Sequence, residues 1–156
     1  MSTRRLKRMI MSKHELPDGM SVRNAINTDL PGIKELYSQL APDISNLERD
    51  VPIILSDPIV KCMLLYHEQS LIGMVISSVR TMLSCGRKMV IEELVIDNSH
   101  RGRGLGSMFV QNCLNYAKAL SLDCVELACS LEKPELHKFY EKAGFTHRMR
   151  LYSLFL

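Results

Sequence analysis

Three glycines alternate with other residues in the segment Arg101-Gly102-Arg103-Gly104-Leu105-Gly106, which precedes a helical pattern. Glycine lets a backbone pass close to a ligand and direct free N–H groups at it, and a helix start adds the equivalent of about half a positive charge. The two arginine side chains can add charge-assisted hydrogen bonds. The segment therefore predicts an anion site, and a phosphate-bearing ligand is its natural occupant.

The spacing of these glycines excludes two common phosphate motifs. A dinucleotide-binding fingerprint needs a glycine three residues after Gly104, where Ser107 stands. A P-loop needs Gly-Lys followed by Ser or Thr, which the segment lacks. Both motifs also favour the first strand-helix unit of a parallel sheet, whereas this segment lies in the middle of the chain.

The elements that must position the segment are a predicted antiparallel meander and a helix. Apolar and β-branched runs predict strands at 60–67, 71–82 and 88–96, joined by short connections. An apolar stripe with helical spacing predicts a helix from about Gly104 to Leu120. The segment therefore connects the last strand of the meander to this helix.

The other patterns complete a single domain. Further strands are predicted at 22–25, 124–129 and 148–155, and further helices begin near Leu30, Ser45 and Pro134. The resulting order is β-α-α-β-β-β-α-β-α-β. It predicts an α/β (α+β) fold with a mixed central sheet flanked by helices.

A family resemblance begins with the run LVIDNSHRGRGLG from Leu94 to Gly106. It resembles the cofactor motif of the GNAT superfamily of acyl-CoA-dependent N-acetyltransferases, whose pattern is Arg/Gln-x-x-Gly-x-Gly/Ala. The preceding IEELVI strand, the later run from Pro134 to Phe145 and the order of elements are also similar to that superfamily. The resemblance covers about residues 22–156 and implies a splayed sheet and an acyltransferase that takes acetyl-CoA as cosubstrate and a primary amine as acceptor.

The resemblance also implies which residues bind acetyl-CoA. The backbone of Leu94, Val95 and Ile96 would pair with the pantetheine arm as if it were another strand, and a bulge there would help to splay the sheet. The pyrophosphate would be wrapped by Arg101, Gly102, Arg103, Gly104, Leu105, Gly106 and Ser107. Lys133 stands where the superfamily often has an asparagine that contacts the cofactor, so that contact lacks its usual residue.

Two catalytic residues follow from the same resemblance. Glu92 matches a position where many members carry a glutamate, and we choose it as the general base for the acceptor amine. Strand alternation predicts that Glu92 and Glu93 point to opposite faces, so that only one can face the site. Tyr140 matches a tyrosine that often protonates the thiolate of coenzyme A. Surface roles for the glutamates, a core role for Tyr140 and proton loss through water stay open as alternatives.

The charge and the apolar runs of the chain limit its partners. The 156 residues carry a net charge of +3, and five basic residues precede the first acid, Glu15, so the rest is slightly acidic. We therefore expect a basic, disordered tail over 1–21, a folded domain over 22–156 and no nucleic-acid binding. Whether translation starts at Met1 or Met11 stays open. Apolar runs are too short for a membrane span, so we expect no membrane association.

The cysteines and histidines give no pattern for a metal site. Five cysteines form no Cys-x-x-Cys pair and five histidines are scattered, so we expect neither a metal nor a disulfide framework. Reduced cysteines suit a cytoplasmic protein. The acceptor stays open among small amines, polyamines, aminoglycosides, amino sugars and protein amines. Whether the protein forms a homodimer also stays open. A non-catalytic acyl-CoA sensor or a protein-interaction module is the alternative function.

Overall fold

The computed structural model describes residues 16–41, 45–149 and 151–154. Its strands are β1 (Met20–Asn24), β2 (Val60–His67), β3 (Ser70–Met82), β4 (Gly86–Ile96) and β5 (Cys124–Leu127). Its α-helices are α1 (Leu30–Ser38), α2 (Leu47–Ser56), α3 (Leu105–Ala119) and α4 (Pro134–Lys142). The strands form one sheet in sequence order, antiparallel from β1 to β4, with β5 added parallel to β4.

Two apolar clusters lie on opposite faces of this sheet. Because side chains alternate along a strand, β2 directs Met63 and Leu65 to one face and Cys62 and Leu64 to the other. Helix α3 covers the first face with the fully buried Phe109, and helices α1 and α2 cover the second. The sheet is therefore the middle layer, and its two faces meet different helices.

The start of the domain differs from the prediction. Strand β1 begins at Met20, and both Met20 and Leu16 pack against the apolar cluster under α3. The predicted boundary between tail and domain, after residue 21, thus lies inside β1. The turn at 17–19 is followed directly by Met20, which already pairs with His67 of β2. Residues 1–15 of the predicted tail lie outside the described residues.

The predicted strand at 148–155 is wrong for the residues that are described there. Arg148, Met149 and residues 151–154 adopt no strand, while residues 150 and 155 lie outside the described ranges. The side chains of Leu151, Tyr152 and Leu154 are 78%, 85% and 85% exposed. Apolar residues favoured a strand here, but a strand also needs a hydrogen-bonded neighbour and a buried face. The rest of the predicted element order agrees with the structure.

Within the described part of the chain, no helix is both long enough and apolar enough to cross a membrane.

Candidate active site

Strand β4 changes its partners halfway along its length. Residues Lys88 to Ile91 pair with β5 on one side, whereas the rest of the strand pairs only with β3. A bulge opposite Ile76 and Ser77 inserts Glu92 as an extra residue. Bulges bend a strand and increase its twist. The sheet therefore opens between β4 and β5 from Glu92 onward, and the outer edge of β4 there has no strand partner in the described chain.

A cavity of about 300 Å³ occupies this opening. Glu92, Glu93 and Leu94 line it from β4, Tyr37 lines it from α1, and Tyr140 lines it from α4. The two residues predicted to be catalytic, Glu92 and Tyr140, therefore share one cavity. Leu94 is the one predicted pantetheine-binding residue that also lines it.

The bulge contradicts the predicted alternation of Glu92 and Glu93. Both residues line the same cavity, because the extra residue interrupts the regular alternation of side chains along β4. The Glu92 carboxylate accepts hydrogen bonds from Ser78 Oγ and Arg80 Nη2, each at 2.6 Å. Glu92 is thus already paired with charged and polar neighbours on β3.

Glu93 has fewer partners than its neighbour. Its Oε2 atom is buried and has no hydrogen-bond partner among the described residues. Burial raises the pKa of Glu93 and the nearby Glu92 carboxylate adds to the rise, whereas the adjacent Tyr37 hydroxyl opposes it. Burial, and then the Glu93 carboxyl group, raise the pKa of Tyr37. A buried carboxyl oxygen without a partner is suited to bond a ligand that brings its own proton.

Tyr140 is held by aromatic packing on the opposite side of the opening. Its ring packs edge to face against Phe139 and Phe145, with centroids 4.9 Å and 5.9 Å apart. Burial raises the pKa of Tyr140, which keeps the hydroxyl protonated at neutral pH. Lys133, which replaces the usual asparagine, lines the same cavity.

The glycine segment turns through left-handed backbone between β4 and α3. The φ angles are +75° at Gly102 and +78° at Gly104, a region in which other residues are strained. An added Cβ at either position would meet nothing within 4 Å, so backbone conformation rather than crowding requires glycine. Gly104 is the N-cap of α3, and the first N–H groups of a helix have no partner within it. The predicted anion site is therefore compatible with the loop geometry.

The other members of the segment have mixed roles. Arg101 Nε donates to Ile96 O at 3.0 Å, and Arg103 Nη2 donates to Ser99 O at 3.2 Å, so both guanidinium groups brace the loop. Leu105 belongs to the core under α3. A Cβ on Gly106 would lie 3.4 Å from Phe139 Cζ, which shows how closely α4 packs there. At Leu105 and Gly106, therefore, only backbone groups could bind a ligand.

A polar network at the start of the loop was missed by sequence reasoning. The Asp97 carboxylate accepts a hydrogen bond from Gln39 Nε2 at 2.8 Å and lies 3.0 Å from His100 Nδ1. With Ser99, these groups hold the pKa of Asp97 well below its usual range. Gln39 Oε1 accepts from the backbone N–H of Asn98 at 2.9 Å, which ties the end of α1 to the loop. The Asp-Asn-Ser pattern, typical of an Asx turn, was an available signal, but nothing local indicated Gln39.

One group of side chains has the composition of a metal site. Ligand atoms of Cys85, Cys124 and Glu126 lie within 4.8 Å of one another. Lys88 Nζ already pairs with Glu126 Oε2 at 2.5 Å, so the carboxylate of this group has a cationic partner. The expectation that the protein uses no metal stays a prediction.

Comparisons with known proteins identify the family. Residues 22–145 match the Acetyltransferase (GNAT) family, so the chain belongs to this family of acetyltransferases. It is similar to glucosamine 6-phosphate N-acetyltransferase 1 of Oryza sativa subsp. japonica, with 38% identity over 64 residues. That match covers 41% of this chain and only 37% of the rice protein.

Two solved structures have the same fold. A transcriptional regulator from Bacillus halodurans C-125 has a TM-score of 0.80 at 19% identity, covering 88% of this chain and 99% of its own. An aminoglycoside N-acetyltransferase, AAC(6′)-Iy, in complex with CoA has a TM-score of 0.76 at 19% identity, covering 90% and 98%. Identities this low show the fold alone. Together with the family match, they confirm the predicted GNAT membership and the mixed sheet flanked by helices.

Proposed function

We propose that this protein is an N-acetyltransferase that transfers the acetyl group of acetyl-CoA to a primary amine by direct attack. The observation that carries this proposal is the cavity in the opening between β4 and β5, which Glu93 and Tyr140 both line. The strand on one side of that cavity leads directly into the glycine segment and the start of α3. Family membership supports the same reaction.

Acetyl-CoA would bind along the open edge of β4. Leu94, Val95 and Ile96 would offer backbone groups to the pantetheine arm, because β5 does not pair with this half of the strand. The backbone N–H groups from Gly102 to Ser107 would receive the pyrophosphate, assisted by the dipole of α3. The side chains of Arg101 and Arg103 would then orient the loop and add positive charge.

The reaction needs a base for the amine and a proton for the thiolate. An alkyl amine with a pKa of about 10 is mostly protonated at neutral pH. The amine nitrogen would attack the thioester carbonyl carbon, forming the C–N bond as the C–S bond breaks. Before the attack, the ammonium group would lose one proton to a carboxylate, which passes it to solvent. After the attack, the nitrogen would lose its second proton to solvent, while Tyr140 would give its proton to the departing sulfur and regain one from solvent. Backbone N–H groups near Leu94 would stabilise the oxyanion.

The geometry favours Glu93 over Glu92 as that carboxylate. Glu93 Oε2 is buried without a partner, whereas Glu92 is bonded to Ser78 and Arg80. A new hydrogen bond to Glu93 would satisfy an oxygen that is otherwise buried at a cost in free energy. The choice of Glu92 as the base, which was made from the resemblance, stays a prediction. The variants Glu92→Gln and Glu93→Gln distinguish the two candidates.

An acceptor screen that follows release of coenzyme A thiol tests the proposed function. Amino sugars are the first acceptors to try, because the similar rice protein is named for glucosamine 6-phosphate and the CoA-bound neighbour for aminoglycosides. Polyamines and peptide amines complete the panel. Binding of acetyl-CoA without thiol release for any amine would favour the non-catalytic sensor instead.

The variant Gly104→Asp tests the cofactor site. It places a carboxylate where the pyrophosphate is proposed to bind, so we expect calorimetry to detect no acetyl-CoA binding. Gly144→Asp is the matched control, because Gly144 also has a left-handed φ, +93°, and open space around an added Cβ, but it follows α4. Unchanged binding by a folded Gly104→Asp variant would refute the cofactor assignment.

A further inference from the structure

A second cavity, of about 620 Å³, lies at the end of α3 that is remote from the glycine segment. Tyr116 and Leu120 line it from the last turn of α3, Leu55 lines it from α2, and Val79 lines it from β3. We call it the Lys61 cavity after its lysine on β2. Its volume falls in the range of about 300–1,000 Å³ that is typical of small-molecule sites.

Among the described residues, Lys61 is the only charged one that lines the Lys61 cavity. Its Nζ lies 4.1 Å from the centroid of the Tyr116 ring, an arrangement that holds the ammonium group by a cation–π contact. None of the ion pairs formed by the described residues includes Lys61. Burial lowers the pKa of Lys61, although the nearby Cys113 opposes the change. The ammonium group is thus partly desolvated and forms no ion pair with any described residue.

The end of α3 offers only neutral acceptors, and these already have backbone donors. The carbonyl oxygen of Tyr116 accepts from the backbone N–H of Leu120 at 3.1 Å, and that of Ala117 accepts from Leu122 at 3.0 Å. The carbonyl of Lys118 accepts from Ser121 at 3.0 Å. Each of these carbonyls keeps one free lone pair but carries no net charge, so a carboxylate entering the cavity would be the stronger acceptor for the Lys61 ammonium group.

We propose that the Lys61 cavity binds a small carboxylic acid with an apolar body. The carboxylate would pair with Lys61, and it would accept hydrogen bonds from Ser77, which faces Lys61 across the strands, and from Asn24, which also lines the cavity. The apolar body would lie against Leu55, Val79 and neighbouring side chains. A single ammonium group balances one negative charge, so a monocarboxylate suits this site better than a phosphate dianion. The site is separate from the proposed catalytic cavity and does not depend on the proposed function.

Titration of the full chain with three probes tests this site. Octanoate, octyl phosphate and 1-octanol share one alkyl chain and differ in the head group, and methyl NMR of isoleucine, leucine and valine locates each of them. We expect octanoate to shift the methyl signals of Leu55 and Val79 and to bind at least about tenfold more tightly than 1-octanol, since charge-assisted hydrogen bonds contribute to binding. Octanoate affinity should fall as the pH rises through the pKa of Lys61, because the neutral amine cannot pair.

Two methionine variants complete the test. Lys61→Met keeps an unbranched side chain over Tyr116 and removes the charge, so octanoate affinity should fall about tenfold while 1-octanol affinity stays unchanged. Lys118→Met, at an exposed position of α3, should change neither. Equal binding of octanoate and 1-octanol by the parent protein would overturn the proposal even if Lys61→Met failed to fold. So would tighter binding of octyl phosphate, unchanged octanoate affinity in Lys61→Met, or shifts confined to Leu94 and Leu136 of the other cavity.

Discussion

Asp29 and Glu93 are both carboxyl groups beside a tyrosine hydroxyl, but their surroundings differ. Asp29 accepts from Arg23 through two nitrogens, at 2.7 Å and 2.6 Å, and from Tyr66 at 3.2 Å. The backbone N–H of Ile26 adds a further bond at 2.8 Å. Glu93 has Tyr37 nearby and one buried oxygen without any partner in the described chain.

The pKa shifts of these two carboxyl groups have opposite signs. The Arg23 hydrogen bond, more than any other contact, lowers the pKa of Asp29 to about 2. Burial raises the pKa of Glu93. A carboxylate surrounded by donors stabilises the fold that supplies them, whereas one without donors costs stability and is kept ready for a ligand. The comparison therefore separates a structural from a functional carboxyl group, and the following predictions test that separation.

Tyr140→Phe should have the largest effect, because Tyr140 lines the same cavity as Glu93 and is the proposed general acid. Proton donation to the thiolate predicts a fall in kcat of about 10²- to 10⁴-fold, with acetyl-CoA affinity and melting temperature near the parent values. Tyr116→Phe, remote from the catalytic cavity, is the matched control and should keep full activity. A kcat for Tyr140→Phe within about threefold of the parent would assign Tyr140 to the core instead.

Glu93→Gln should lower kcat/KM by about 10²-fold, because the acceptor amine loses its base. The loss should be greatest at pH values above the raised pKa of Glu93 and below the pKa of the acceptor, where the carboxylate is charged and the acceptor is still protonated. Glu92→Gln is the matched neighbour, and we expect it to lose less because its partners are Ser78 and Arg80. Measured pH profiles of kcat/KM decide between them. A larger loss of kcat/KM in Glu92→Gln would favour Glu92 as the base, as chosen from the sequence. Parent-like pH profiles for both variants would favour proton loss through water.

The difference between the two glutamates also marks the limit of sequence reasoning. Strand β2 was predicted with its observed ends, 60–67, because local apolar patterns determine where a strand forms. The bulge at Glu92 depends on how many residues of β3 oppose β4, which no local pattern of β4 contains. The bond between Gln39 and Asp97 joins residues 58 positions apart and is equally invisible to local patterns. Local sequence patterns therefore located the glycine loop and strand β4. The pairing of β4 with β3 determined which of the two glutamates lacks hydrogen-bond donors.

Asp29→Asn tests the structural side of the comparison. It removes the ion pair with Arg23 and weakens the bonds from Tyr66 and Ile26, so we expect unfolding free energy to fall by about 1–2 kcal/mol, with kcat unchanged. Asp50→Asn is the control, because the pair that Asp50 forms with Arg49 lies on the surface, where ion pairs contribute little. Urea unfolding of both variants gives the comparison. A loss of kcat in Asp29→Asn without loss of stability would contradict the structural role.

The smallest expected effect is the pH dependence of stability, and its sign differs between the two carboxyl groups. Asp29 is more acidic in the folded chain than its ordinary value of 3.8, so its contribution is present above that pH and is lost as pH falls through about 2. Glu93 is less acidic when folded, so its favourable contribution is present at low pH and is lost as pH rises through its raised pKa. At neutral pH the ionised Glu93 therefore costs stability, and Glu93→Gln should melt roughly 1–3 °C above the parent.

That gain should shrink as pH falls through the raised pKa of Glu93 and should be absent below about pH 4, where the carboxyl group is protonated in both the folded and the unfolded chain. The deficit of Asp29→Asn should also shrink in acid, but for the opposite reason, because the parent then loses the charge that pairs with Arg23. Thermal melts of parent, Glu93→Gln and Asp29→Asn from pH 3 to 8 follow both trends in one experiment. A Glu93→Gln variant that melts below the parent at neutral pH would mean that Glu93 stabilises the fold as Asp29 does, and the distinction between the two carboxyl groups would fail.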